Sequence, residues 1–79
     1  MDIHSAARRH GVDDDDIIHA IEHPLVVEDV GEDPDRWLVI GPDRAANLLE
    51  VVVLIPTDGE PLAIHAMPMR PTYRRFLQS

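Results

Sequence analysis

The sequence contains no cysteine and no lysine, one residue each of tryptophan, tyrosine and phenylalanine, and no apolar run longer than "VVVLI", Val51 to Ile55. Each absence excludes something. Without thiols there is no disulfide framework and no cysteine nucleophile, which fits a reducing compartment. A run of that length makes a strand and falls far short of the roughly 20 residues that cross a bilayer, and no secretory leader is visible. A cytoplasmic protein with no membrane segment is therefore expected. Serine occurs only at Ser5 and Ser79, which leaves serine-centred hydrolysis without a well-placed nucleophile. No glycine-rich phosphate loop and no finger motif is present.

What the chain does have is acid, unevenly spread. Its formal charge is -8 over 79 residues. Residues 1–35 hold eleven acids against Arg8 and Arg9, whereas residues 36–79 hold four acids against five arginines. Overall acidity argues against a non-specific nucleic-acid binder, yet a local cluster of arginines can still grip a few phosphates, because the planar guanidinium fork matches their oxygens. Three arginines, Arg70, Arg74 and Arg75, crowd into the last ten residues. With 44% hydrophobic residues and so short a chain, one domain over residues 1–79 with one small core is expected.

Hydrophobic periodicity gives the organisation. "DIHSAARRHG" places Ile3, Ala6, Ala7 and His10 on one side of a helix, with Gly11 positioned to end it in a left-handed cap. "VDDDDIIHAIEHP" reads as a second helix: Asp13 as its cap, Asp14 to Asp16 complementing the dipole, Ile17, Ile18 and Ile21 as its buried stripe, and Pro24 as its stop. The aspartate run is a solvated helix start or, alternatively, a docking patch for a cation or partner. Strands follow at Leu25 to Val30, Arg36 to Gly41, Asn47 to Ile55 and Pro61 to Met67, with Asp58-Gly59 as a hairpin signal. The predicted fold is α+β: two N-terminal helices packed on a four-stranded antiparallel meander, with "RPTYRRFLQ" as a short C-terminal helix or tail.

Alternation then sorts the faces. Folding the last hairpin about Asp58-Gly59 sets Glu50 against Met67 and Val52 against His65. Glu50 and His65 become diagonal neighbours about 7 Å apart at Cβ, on the side that also carries Leu48, Leu54 and Ala63. The opposite side, with Leu49, Val51, Val53, Ile55, Leu62, Ile64 and Ala66, is uniformly apolar and is where the helices should lie. Trp37 falls on the helix-covered side, as a core anchor or a base-stacking platform.

His65 can serve as acid or base near neutrality, with Glu50 holding its tautomer; equally, the pair can be a structural hydrogen bond. In a closing α-helix, Arg70 and Arg74 would share a face beside Tyr73 and brace a phosphate; alternatively the arginines are a solvated tail paired with the acidic half. His19 and His23 lie four apart, but "HAIEH" lacks the zinc-protease order and no third ligand is evident, so neither a metal nor another cofactor is expected. His4 has a surface or capping role, and His10 does not share a clean helical face with it.

"HSAARRHGVDDDDIIHAIEHP" (His4 to Pro24), "LVIGPDRAANLLEVVV" (Leu38 to Val53) and "IHAMPMRPTYRRFL" (Ile64 to Leu77) together resemble the small BrnT-type toxins of the RelE/ParE-like superfamily. The likeness spans roughly residues 4–77 and is most specific in the histidine, arginine and tyrosine of its ending. It implies the toxin of a type II toxin-antitoxin system, an endoribonuclease that cuts messenger RNA without metal and is neutralised by a cognate antitoxin. The positions it matches are His65, Arg70, Tyr73 and Arg74, with Arg44 corresponding loosely. The expected machinery is His65 oriented by Glu50 as base or acid, Arg70 and Arg74 as phosphate clamp, Tyr73 as donor or stacking surface, and Arg44 and Arg75 as further substrate contacts. The alternatives are a non-catalytic interaction domain that docks an antitoxin or acidic protein, and a small structural homodimer built on the exposed sheet edge.

Overall fold

The β-branched run of Asn47 to Ile55 has the composition of a buried central strand, and it becomes one. In the computed structural model, which describes residues 1–32 and 34–78, β1 spans Asp2–Ile3, α1 Asp14–Glu22, β2 Val26–Gly31, β3 Asp35–Pro42, β4 Leu48–Ile55 and β5 Leu62–Pro68. Two 3-10 segments, Ser5–Arg8 and Pro71–Leu77, complete the chain. The sheet order is β1-β5-β4-β3-β2, so β4 is fully flanked and β2 forms one edge. All contacts among β2 to β5 are antiparallel, as their hairpin connections require.

The predicted four-stranded antiparallel meander under two N-terminal helices is corrected at the N-terminus. Residues 2 and 3 form a fifth strand that runs parallel to β5, with Asp2 opposite Leu62 and Ile3 opposite Ala63. Backbone N–H groups of Asp2 and His4 donate to the carbonyls of Pro61 and Ala63 at 3.0 and 2.8 Å, which satisfies an edge of β5 that would otherwise stand open. The first predicted helix shrinks to the four-residue turn Ser5–Arg8. So short an apolar stripe cannot repay helix nucleation, and the His4 side chain caps the turn instead, accepting from the Ala6 N–H at 3.0 Å. Gly11 does take a left-handed conformation (φ 76°) just beyond it. The sheet is thus five-stranded and mixed, carrying one α-helix.

That helix covers the face predicted for it. Ile17 and Ala20 of α1 join Val39, Leu49, Val51, Val53, Ala63, Ala66 and Ala7 in one buried cluster. Gly41 marks the closest approach: a Cβ there would collide with the Ala20 carbonyl oxygen and lie 2.9 Å from its carbonyl carbon, so only glycine lets the helix backbone settle onto β3. Asp13 is the N-cap residue, but its side chain makes no capping hydrogen bond. It turns instead toward Arg44, as do Asp15 and Asp16.

The β4-β5 register matches the predicted pairing at Glu50 opposite Met67 and Val52 opposite His65. Beyond that point one extra residue enters β5, so Val53 faces Ala63 and Leu54 faces Leu62. This irregularity moves Ala63 onto the helix-covered face and Leu62 onto the other, the reverse of simple alternation. Trp37, opposite Val53, lies on the helix side as expected. No helix among the described residues is long and apolar enough to cross a membrane.

Candidate functional site

On the face away from α1, β4 presents Glu50, whose side chain is completely buried. A lone ionised carboxylate there would be costly, and its neighbours supply what it needs. Glu50 Oε1 accepts from the Arg70 backbone N–H at 2.9 Å and from Arg70 Nε at 3.0 Å. Oε2 accepts from Arg70 Nη2 at 2.7 Å and lies 2.9 Å from His65 Nε2. Both oxygens are therefore doubly engaged, which saturates the acceptor capacity of a carboxylate. Burial by itself pushes the Glu50 carboxyl upward, but the side-chain and backbone hydrogen bonds of Arg70, then that of His65, outweigh it and hold the group below the usual carboxylate range. In return, the hydrogen bonds and charge of Glu50 raise the already high pKa of Arg70.

Three consequences follow for the chemistry. Glu50 is an ionised acceptor and has no free lone pair for a proton of substrate. The hydrogen between it and His65 must then come from the imidazole, so His65 carries a proton on Nε2, and Nδ1, which makes no hydrogen bond among the described residues, is the nitrogen left to act as a base. Arg70 spends only two of its five N–H bonds on Glu50, and its half-exposed side chain keeps the others for solvent or an anion.

The closing segment diverges from expectation at Arg74. Pro71–Leu77 is a 3-10 helix, in which residues three apart share a face, rather than an α-helix in which residues four apart do. The row that follows Arg70 is therefore Tyr73 and Phe76. The Arg70 guanidinium stands 5.5 Å from the Tyr73 ring centroid, and the Tyr73 and Phe76 rings stack at 6.1 Å. Arg74 is rotated off this row and forms no ion pair among the described residues, and Arg75 lies over Phe76 at 4.8 Å. The predicted double guanidinium clamp is reduced to one guanidinium. Arg44 is likewise engaged elsewhere: its Nε donates to Asp16 at 2.8 Å, and it pairs with Asp13 and Asp15 at the start of α1.

One residue that periodicity assigned to a helix face arrives at the site instead. His10 meets His65 edge-on, with ring centroids 5.8 Å apart and planes inclined by 76°. No local pattern could reveal this, because the meeting depends on β1 lying beside β5, some sixty residues away in sequence. The other histidines make structural bonds: His19 Nδ1 lies 2.8 Å from the Pro42 carbonyl and His23 Nδ1 2.9 Å from that of His19. Around the buried Glu50, the half-exposed Arg70 and the partly exposed His65 and Tyr73 are the groups of this centre that reach solvent.

Comparison with protein-family models, curated proteins and solved structures gave no match to this chain.

Proposed function

We infer that this chain is the toxin of a bacterial toxin-antitoxin pair and acts in the cytoplasm as an endoribonuclease that cuts messenger RNA without a metal ion. The observation carrying this reading is the convergence of His65 and Arg70 on the buried Glu50 carboxylate. It supports three requirements of phosphodiester cleavage in one place: a base with a fixed tautomer, a cation beside it, and an aromatic surface at Tyr73 for a neighbouring base. The likeness of the ending "IHAMPMRPTYRRFL" to BrnT-type toxins adds the antitoxin as partner. Induced expression of wild type and His65→Ala, with growth and RNA integrity followed together, tests it. Wild type should halt growth and fragment RNA, and the variant should do neither. Intact RNA and normal growth with soluble wild-type protein would remove the nuclease.

A second reading, a non-catalytic docking domain, draws on the outer edge of the sheet. Val27 and Val30 on β2 are half exposed, beside Glu28 and Asp29. A basic extended segment of a partner could add there as a further strand, whereas two copies would oppose acid to acid. Growth inhibition retained by His65→Ala would favour this reading.

A further inference from the structure

Cleaving an RNA chain needs two proton transfers on opposite sides of one phosphorus, and the centre built on Glu50 supplies only the first. We propose that His10 is the second catalytic group, the acid that protonates the departing 5′-oxygen while His65 takes the proton of the 2′-hydroxyl. The inference rests on the ribonuclease reading and extends it.

The geometry carries the pairing. His10 sits between the turn Ser5–Arg8 and the left-handed Gly11, and the Gly11 N–H donates to the Arg8 carbonyl at 3.1 Å, so its backbone is fixed although its side chain faces solvent. Parallel pairing of β1 with β5 parks this turn alongside the strand that carries His65. The ring centroids stand 5.8 Å apart with the rings edge to face, so both imidazoles border one patch of surface, and a phosphodiester laid over that patch can have its two reacting oxygens served by different rings. His65 is tied through Nε2 to Glu50, whereas the His10 ring makes no hydrogen bond among the described residues and is the freer to deliver a proton. On its other side His65 meets Glu50 of β4, which is already joined to Arg70. Tyr73 is then spared for stacking.

The step balances without a cofactor. His65 Nδ1 removes the 2′-hydroxyl proton as the 2′-oxygen bonds to phosphorus. The bond from phosphorus to the 5′-oxygen breaks, and imidazolium His10 transfers its proton to that oxygen. The products are a 2′,3′-cyclic phosphate and a 5′-hydroxyl. Proton exchange with water then resets both rings.

The test uses the full chain and a short single-stranded RNA with one cleavable linkage, together with the same RNA carrying sulfur in place of the bridging 5′-oxygen. A thiolate leaves without needing a proton. His10→Ala should lose about 100- to 10,000-fold on the oxygen substrate, the usual contribution of a general acid, and stay near wild type on the sulfur one. His65→Ala should fail on both. Retained cleavage of the sulfur substrate also shows that His10→Ala is folded. Equal activity of His10→Ala and wild type on ordinary RNA overturns the role of His10 and leaves the ribonuclease reading standing. Equal loss on both substrates also overturns the acid role. A wild-type protein inert on both removes the ribonuclease reading and this inference with it.

Discussion

Removing the Arg70 side chain should be the most damaging single truncation outside the apolar core, and the structure sets its size. Of the four contacts to Glu50, Arg70→Ala deletes those from Nε and Nη2 and leaves the backbone N–H and His65 in place. Two charge-assisted hydrogen bonds at roughly 1.5–3 kcal/mol each suggest a loss of several kcal/mol. Breaking a fully buried pair from one side costs about 3–5 kcal/mol, an upper bound here because the Arg70 side chain is half exposed. Glu50 has an escape, which is to take up a proton. From an ordinary carboxyl value near 4.3, neutralisation at pH 7 costs about 3.7 kcal/mol, which caps the penalty at that order. A loss of about 3–4 kcal/mol is therefore expected at neutral pH, a large share of the roughly 4–12 kcal/mol that a chain of this length commands.

Urea denaturation followed by the fluorescence of Trp37, the single tryptophan, measures it. The cap also fixes a pH signature: the deficit of Arg70→Ala should shrink by about 1.4 kcal/mol for each unit of acidification from pH 7 to 5, because the proton becomes cheaper to supply. Adding Glu50→Gln to Arg70→Ala should recover at least half of the loss, since no charge is then left buried. Arg74→Ala, which removes an exposed side chain with no ion pair among the described residues, is the control and should stay within about 0.5 kcal/mol of wild type. An Arg70→Ala deficit below about 1 kcal/mol, or one that does not change with pH, would refute the reasoning.

Gly41→Ala should destabilise by about 1–3 kcal/mol in the same assay, because its methyl group runs into the backbone of Ala20, which no side-chain rotation can relieve. The stability contribution of Glu50, read as wild type minus Glu50→Gln, has a defined pH window. The folded carboxyl lies below its unfolded value, so the contribution is complete above about pH 4.3 and is lost as pH falls through the folded value. Acid titration of both proteins by circular dichroism should show their difference constant from pH 7 to 5 and collapsing below about 4.

The parts of this fold that were legible in the sequence are those set by local periodicity with one face buried. The alternation of Asn47 to Ile55 forces Val51 and Val53 inward, and so fixes Glu50 on the other side. The Asp58-Gly59 turn then places His65 diagonal to it, and both hold in the structure. What was not legible needs information outside the segment. The two-residue strand at Asp2–Ile3 has no periodicity of its own and exists because β5 has an edge to cover. The extra residue beside His65 carries no glycine or proline to announce it. The 3-10 form of Pro71–Leu77 is invisible to composition, yet it decides whether Arg74 or Tyr73 stands beside Arg70.

These non-local features determine which residues belong to the centre. Under α-helical geometry the site would hold two guanidinium groups and one imidazole. With the 3-10 turn and the parallel strand it holds one guanidinium and two imidazoles. The exchange changes the chemistry available. A double clamp mainly binds anionic charge, and in a chain of net charge -8 it would have to overcome the field of its own acids. A pair of imidazoles moves protons, a task that depends on short-range geometry and survives that field. Glu50 makes the arrangement possible by fixing the His65 tautomer and by holding Arg70 where the 3-10 segment begins. On the proposed reading stability and proton transfer are thus joined at one carboxylate, and substitution at His10, which makes no hydrogen bond to Glu50 among the described residues, is the change that can separate them.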